Sequence, residues 1–314
     1  MSETPRSVVV ECPAKTNLTL EVGESRSEWG GRHELDTIYC AVSLTDTVTV
    51  TEKAADAGFS LELDGTHLGD LASSQADMRR NHAVLALFAM AEAAGREPNV
   101  GISITKRIPV GGGLAGGSVD AAATILGLNE LWDLHWPVEK LQQVASTLGA
   151  DMPFCVAGGY AHGTGYGERI SIYSPDSAEA EDLRNRGFAG PLLVGAYQSQ
   201  LSTPEVYAAF DQIGAKPGDA NHLQNAAISL HPRSGQAIDD ALAAGASHAF
   251  VSGSGPSVIA FTPTPAIRQA VIETWKRNAS VDRIIAANAP AVPSVSVTVT
   301  RYSETAFRSE GTTQ

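Results

Sequence analysis

The chain has only three cysteines, Cys12, Cys40 and Cys155, far apart and without metal-ligand spacing. So few and so scattered, they exclude a disulfide scaffold and suggest no zinc site; reduced, buried thiols are expected. Positive charge is also scarce, with 22 Lys and Arg against 35 Asp and Glu and a formal net charge of -13. That balance opposes broad attraction to nucleic acid or to an anionic membrane, so a bound anion must be held by local groups. Long apolar runs are missing: no stretch reaches the roughly eighteen residues of a membrane span, and the opening MSETPRSVVVE lacks the apolar region of a signal peptide. A cytoplasmic protein working without membrane or nucleic acid is expected.

What is present is a globular balance, 43% hydrophobic and 18% charged over 314 residues, enough for two domains of ordinary size. Alternating segments predict strands at Ser7 to Glu11, Thr19 to Val22 and Thr47 to Thr51. Asn81 and Gly95 bracket HAVLALFAMAEAA as an N-cap and a stop, so this stretch reads as a helix. GISITKRI reads as a strand leading into a glycine-rich loop, after which Val119, Ala122, Ala123 and Leu126 predict one buried helical face. Val138, Leu141, Ala145 and Leu148 form a second stripe, ended by Gly149. The polar, acidic run SPDSAEAEDLRNRG at 174–187 marks an excursion near a domain junction. Beyond it PLLVGAY predicts a strand, STPEVYAAFDQI a helix, AFVSGSGPSVIAF two strands around a turn, and SVSVTVTRY a last strand; the tail from Thr305 looks loose. Strands and helices mix without regular βαβ alternation, which predicts an α+β fold.

The most informative stretch is PVGGGLAGGS at 109–118, where glycine takes five of the seven positions 111–117. Glycines let successive backbone N–H groups turn toward one ligand, and the following helix adds its positive end. The loop therefore suits phosphate. A Walker loop would close with Lys and Ser or Thr, whereas Gly117 is followed here by Ser118, Val119 and Asp120. The surroundings also lack the opening βαβ unit of a Rossmann fold. A cation has to come from elsewhere, and PAKTNLTL offers Lys15, while LGADMPF offers the carboxylate of Asp151, although such residues are often a surface Lys and a helix cap.

Three stretches, PAKTNL at 13–18, PVGGGLAGGS at 109–118 and SGSGPS at 252–257, resemble in order and spacing the three motifs of the GHMP small-molecule kinase superfamily. GRHELDTI at 31–38, LGADMPFCVAGG at 148–159 and GTGYGE at 163–168 resemble the branch of that superfamily whose acceptor is a cytidylylated methylerythritol. The resemblance implies a two-domain fold, with an ATP-binding domain over 1–165, a substrate domain over 166–314 and the active site in the cleft between them. It implies transfer of the ATP γ-phosphoryl group to the acceptor's 2-hydroxyl, with Mg²⁺ as helper, in a monomer or weak homodimer.

By motif match, Lys15 and Asp151 would be the catalytic pair, with Asn17 beside them on the substrate side. Pro109, Gly111, Gly112, Gly113, Leu114, Ala115, Gly116, Gly117 and Ser118 would wrap the ATP phosphates, while Asn81 and Lys106 would lie near the nucleoside. The metal ligands stay open; Ser118 is one candidate and Asp120 a weaker one. Arg32 stands where the family commonly has an aromatic residue stacked on cytosine, and a flat guanidinium can stack as well. His33 would hydrogen-bond the cytosine edge, and Tyr207 matches the other stacking position. Asn221 and Asn225 are further cleft candidates; Gly253 and Gly255 would shape the wall. A different acceptor within the superfamily, and a nucleotide-binding regulator without turnover, are the competing readings; retention of both Lys15 and Asp151 argues against the second.

Overall fold

The computed structural model describes residues 6–65 and 75–299. The first body runs through β1 (Arg6–Arg26), β2 (Arg32–Glu52), β3 (Ser60–Gly65), α1 (His82–Ala94), β4 (Val100–Lys106), α2 (Gly116–Leu131), α3 (Val138–Ser146), α4 (Met152–Ala157), β5 (Tyr160–Thr164) and β6 (Arg169–Tyr173). Helix α5 (Ala178–Asn185) crosses to a second body of β7 (Gly190–Ala196), α6 (Thr203–Ile213), α7 (Gln224–Leu230), α8 (Pro232–Ala243), β8 (His248–Val251), β9 (Val258–Phe261), α9 (Pro265–Asn278) and β10 (Arg283–Ala289). A final strand, β11 (Ser294–Val299), returns to pair with β1. The first sheet has the order β11-β1-β2-β4-β3, with β5 on β2 and β6 on β5; the second has the order β10-β7-β9-β8. The architecture is α+β.

The two short strands expected near the start are parts of one strand of 21 residues. Its register against β2 shifts between Pro13 and Ala14, and again between Asn17 and Thr19. Proline gives no ladder hydrogen bond, so a bulge is the place where a sheet tolerates it. Bulges bend a strand and re-aim its side chains, and those between these two include Lys15 and Asn17. Pairing with β11 stops at Glu11. Beyond that point other partners take the edge: Lys15 N donates to Leu114 O (3.2 Å), Leu20 N to Ala220 O (2.7 Å), and His222 N to Leu20 O (2.8 Å). The edge of one strand thus joins the glycine loop and the second body.

Helix α1 is capped as its sequence implies, with Asn81 Oδ1 accepting from Ala83 N (2.9 Å) and Gly95 closing the far end at φ +63°. Helix α2 departs from the one-faced stripe. Val119 to Ile125, Gly127 and Leu128 are all buried, while Leu126 is only partly covered. The cause is its place between β1 and β2 on one side and α1, α3 and α4 on the other. Small residues allow this close fit: a Cβ on Gly127 would lie 2.8 Å from Val50 Cγ2. The second body has its own core around Trp275, whose indole Nε1 donates to Ala237 O (2.8 Å) among Val206, Ala227, Val251 and Val271.

The excursion at 174–187 contains α5, whose first turn is capped by Ser177 Oγ accepting from Ala180 N (3.2 Å). A division at 165/166 would separate the paired strands β5 and β6, so sheet membership changes after Tyr173 instead, and β11 lies with the first sheet. The last predicted strand is present through Val299; Thr300 to Tyr302 and the tail from Thr305 lie outside the described residues. Among the described residues no helix is long and apolar enough to cross a membrane.

Candidate active site

A cleft of 920 Å³ is lined by residues of both bodies, among them Lys15, Asp151 and the glycine loop, together with Arg32, Tyr166 and Tyr207. The loop's backbone explains its composition. Gly111, Gly113 and Ala115 take φ of +64°, +78° and +58°, while Gly112 and Leu114 between them do not take positive φ. Such alternation turns successive amides toward one side and makes an anion-binding concavity, which runs directly into the N-terminus of α2 at Gly116 and Gly117.

The SGSGPS turn braces this loop from the second body. Ser252 Oγ donates to Gly113 O (3.1 Å), and Ser257 N donates to Gly112 O (3.2 Å). The approach is tight enough that a Cβ on Gly113 would stand 2.1 Å from Ser252 O. Asn221 holds the turn in place, its Nδ2 donating to Val251 O (2.9 Å) and Gly253 O (2.8 Å). Gly253 lines the cleft; Gly255, Asn221 and Asn225 do not.

Lys15 is 6% exposed, and its Nζ lies 3.4 Å from Asp151 Oδ2 and donates to Asn17 Oδ1 at 2.9 Å. Asn17 is fixed in turn by Nδ2 donating to Thr37 Oγ1 (2.7 Å). Asp151 stands at the N-cap of α4 but makes no side-chain cap bond, which leaves its carboxylate for Lys15 and the cleft. Tyr39 completes the set, its hydroxyl donating to Asp151 Oδ1 at 3.1 Å. Burial, with the Asp151 charge second, raises the Tyr39 phenol well above its ordinary value, so it remains a protonated donor. Composition gives no hint of Tyr39. Its indirect signal is GTGYGE, because a Cβ on Gly163 would lie 2.5 Å from the Tyr39 ring and one on Gly167 would lie 2.7 Å from its hydroxyl.

The other residues singled out in the sequence divide between the cleft and the interior. Pro109, Gly111, Gly112, Gly113, Ala115, Gly116, Gly117 and Ser118 line the cleft. Leu114 points into the core, and only its carbonyl serves the site, by accepting from Lys15 N. Asn81 is occupied as a cap, and its neighbour His82 reaches the cleft instead, close enough that a Cβ on Gly117 would stand 2.5 Å from His82 Nδ1. Burial holds the His82 imidazole below its ordinary pKa, so it is neutral near pH 7. Lys106 is not at the cleft. It is buried between Asp46 and Asp120, with Nζ 2.6 Å from Asp120 Oδ2, and Asp120, itself buried, does not line the cleft.

Elsewhere in the cleft Arg32 lies over the Tyr166 ring, 4.7 Å from its centroid. Its flat face is therefore already stacked, and Tyr166 joins it at the cleft. His33 stacks on Tyr207 with centroids 5.0 Å apart, and its Nε2 is 2.9 Å from Asp211 Oδ1, so that nitrogen already has a partner. Tyr207 serves twice: it packs on the second core and lines the cleft. Tyr166 and Asp211 are the residues missed around Arg32 and His33. Tyr166 had a readable signal, an aromatic between two glycines of positive φ, Gly165 and Gly167.

A two-body α+β fold in which the first body sets a glycine nest beside an ammonium and a carboxylate, at a cleft that the second body closes, defines the class of GHMP kinases. The model of the GHMP kinases N terminal domain matches residues 81–159, and that of the GHMP kinases C terminal matches residues 203–281. Within that class the chain belongs to the 4-diphosphocytidyl-2-C-methyl-D-erythritol kinase family. It is 69% identical over 295 residues to the family's protein from Bifidobacterium adolescentis, covering 94% of this chain and 96% of that one. It is 40% identical over 296 residues to the protein from Mycolicibacterium gilvum, covering 89% of each. A solved structure of 4-(cytidine 5'-diphospho)-2C-methyl-D-erythritol kinase superposes with a TM-score of 0.65 at 28% identity, covering 90% of this chain and 99% of that one. Homoserine kinase from Cytophaga hutchinsonii, at 18% identity and a TM-score of 0.67, shares the fold.

Proposed function

We propose that the chain transfers the γ-phosphoryl group of ATP to the 2-hydroxyl of 4-(cytidine 5'-diphospho)-2-C-methyl-D-erythritol, in the non-mevalonate route to isoprenoid precursors. The observation that carries this reading is the approach of Lys15 to Asp151, 3.4 Å, beside the glycine nest. Binding alone needs no such pair.

Phosphoryl transfer has a loose transition state, so the attacking hydroxyl needs aim more than early deprotonation. An ionised carboxylate is a weak base but a good acceptor. Asp151 orients the acceptor hydroxyl and takes its proton late. Lys15 and the Tyr39 hydroxyl each engage one oxygen of the Asp151 carboxylate and so fix its orientation, and Lys15 offsets negative charge developing on the phosphoryl oxygens. The loop amides and the start of α2 receive the triphosphate, and His82 borders it at Gly117. The Tyr166–Arg32 pair and the His33–Tyr207 stack, also in the cleft, are the aromatic surfaces for the cytosine.

Among the described residues there is no group of three or more His, Cys, Asp or Glu able to hold a metal. That suits a Mg²⁺ carried on the nucleotide, keeping waters and taking few protein oxygens, with the Ser118 hydroxyl and the Asp151 carboxylate the available ones. Its contribution would be to neutralise phosphate charge. The enzyme works in this reading as a cytoplasmic monomer or weak homodimer on small molecules alone.

The test is an ATP-dependent assay with the cytidylylated methylerythritol beside the same alcohol lacking its cytidine. Turnover with the first and little with the second is expected. Equal turnover would remove the cytosine end of the proposal, and turnover with neither would move the search to sugars and amino-acid alcohols, followed by ADP release.

A further inference from the structure

Lys106, Asp46 and Asp120 form a buried cluster that the transfer chemistry leaves unused, and its contacts all fall on the two stems of the glycine loop. Asp46, fully buried on β2, accepts from the backbone N–H of Arg107 (2.6 Å) and of Ile108 (2.9 Å), the residues that enter the loop. Lys106 Nζ bonds the other Asp46 oxygen, donates to Gly116 O (3.3 Å) where the loop becomes α2, and reaches Asp120 Oδ2 (2.6 Å) one turn further along that helix. One ammonium and two acids thus join the strand before the loop, the helix after it and the neighbouring β2. A cluster serving stability alone is poorly explained by this choice, since buried ion pairs commonly add no more than apolar residues of like volume while fixing geometry more narrowly.

We propose that the Asp46–Lys106–Asp120 bridge is the positioning element of the phosphate loop, holding its two stems in one register so that the amides face the nucleotide phosphates before nucleotide arrives. Lys106 acts in this way through the backbone of 107, 108 and 116, without touching the nucleotide. The inference rests on the reading of 111–118 as a triphosphate cradle. It deepens that reading by naming the residues that preorganise the loop. Preorganised amides bind charge without first having to be ordered, so the effect of losing the bridge should grow with the number of phosphates carried by the ligand.

The test compares Asp120→Asn, which keeps shape and loses charge, and Lys106→Met with the unaltered chain, reading binding of AMP-PNP and of adenosine by calorimetric competition. Both variants should weaken AMP-PNP at least about fivefold, some 1 kcal/mol, while adenosine affinity stays within about twofold and the acceptor KM is unchanged. Amide hydrogen exchange over 107–117 should quicken in Asp120→Asn alone, a readout that remains if Lys106→Met fails to fold. Unchanged AMP-PNP affinity and exchange in Asp120→Asn would overturn the proposal. So would an equal loss of adenosine and AMP-PNP in Lys106→Met with Asp120→Asn normal, which would put Lys106 on the base. Should the unaltered chain bind AMP-PNP but phosphorylate no acceptor, the assigned reaction fails and this comparison still stands.

Discussion

Lys15 and Asp151 meet at 3.4 Å, one side chain coming from a bulged stretch of β1 and the other from the residue that opens α4. Neither makes another strong ionic contact among the described residues, so each is the other's fixed partner. Asp151→Asn keeps the size of the side chain and removes the proton acceptor. Its kcat should fall by roughly 10²- to 10³-fold with the KM for ATP within about threefold, measured by steady-state ADP release. Lys15→Met should slow the single-turnover rate by a similar factor. A near-normal rate in either would remove that residue from the chemistry.

The glycine nest makes a sharper steric prediction. Gly113→Ala combines a left-handed backbone, which costs an L-residue about 1–2 kcal/mol, with a Cβ that would lie 2.1 Å from Ser252 O. The loop has to move. AMP-PNP affinity should drop by about tenfold or more, roughly 1.4 kcal/mol, with a lower melting temperature. Gly95, at φ +63° and ψ +38° with open space around it and away from the cleft, gives the control: Gly95→Ala carries the backbone term only and should leave nucleotide affinity alone. Equal behaviour of the two variants would refute the steric argument.

In the cleft Arg32 and Tyr166 form one cation–π unit. Arg32→Ala and Tyr166→Ala should each raise the acceptor KM by several-fold, within the 0.5–2 kcal/mol range of such contacts, about 2- to 30-fold. The KM for ATP should stay unchanged, and the double variant should do little more than either single one. Additive effects would show that the two residues act separately.

Burial pushes the Asp120 carboxyl up to about 7 against the pull of Lys106. The unfolded chain releases this proton near the ordinary carboxylate range, whereas the folded chain keeps it until about 7. Between those values the folded state binds more protons, so the contribution of Asp120 to stability falls as pH rises through that window and levels off above it. Asp120→Asn has no such dependence. Its melting temperature relative to the unaltered chain should therefore improve from about pH 5 to about pH 8, read by thermal unfolding at both. Parallel pH profiles would contradict this assignment.

The loop was legible in the sequence because backbone of positive φ demands glycine, and Gly111 and Gly113 announce it directly. The caps of α1 were legible for the same reason: Asn81 and Gly95 satisfy local hydrogen bonds that any helix end requires. The meeting of Lys15 and Asp151 had no local signal and came through likeness to known motifs, since it depends on bulge positions and strand pairing. Lys106 shows what motif matching leaves out. Its acids stand 60 residues before it and 14 after it, and only the folded sheet and helix reveal that its charge is already balanced. Burial likewise hid the limits of the first body, because a polar run marks a crossing but does not tell which sheet the next strand will join.

Chain tracing past Tyr173 leaves the first sheet, and at Ser294 it comes back. The portion carrying the SGSGPS brace is thus suspended by two covalent tethers. Between those two crossings it also packs into the first core through Leu192, Val194 and Phe261, so the wall that Ser252 and Ser257 put against the phosphate nest is fixed by burial as well as by covalent connection.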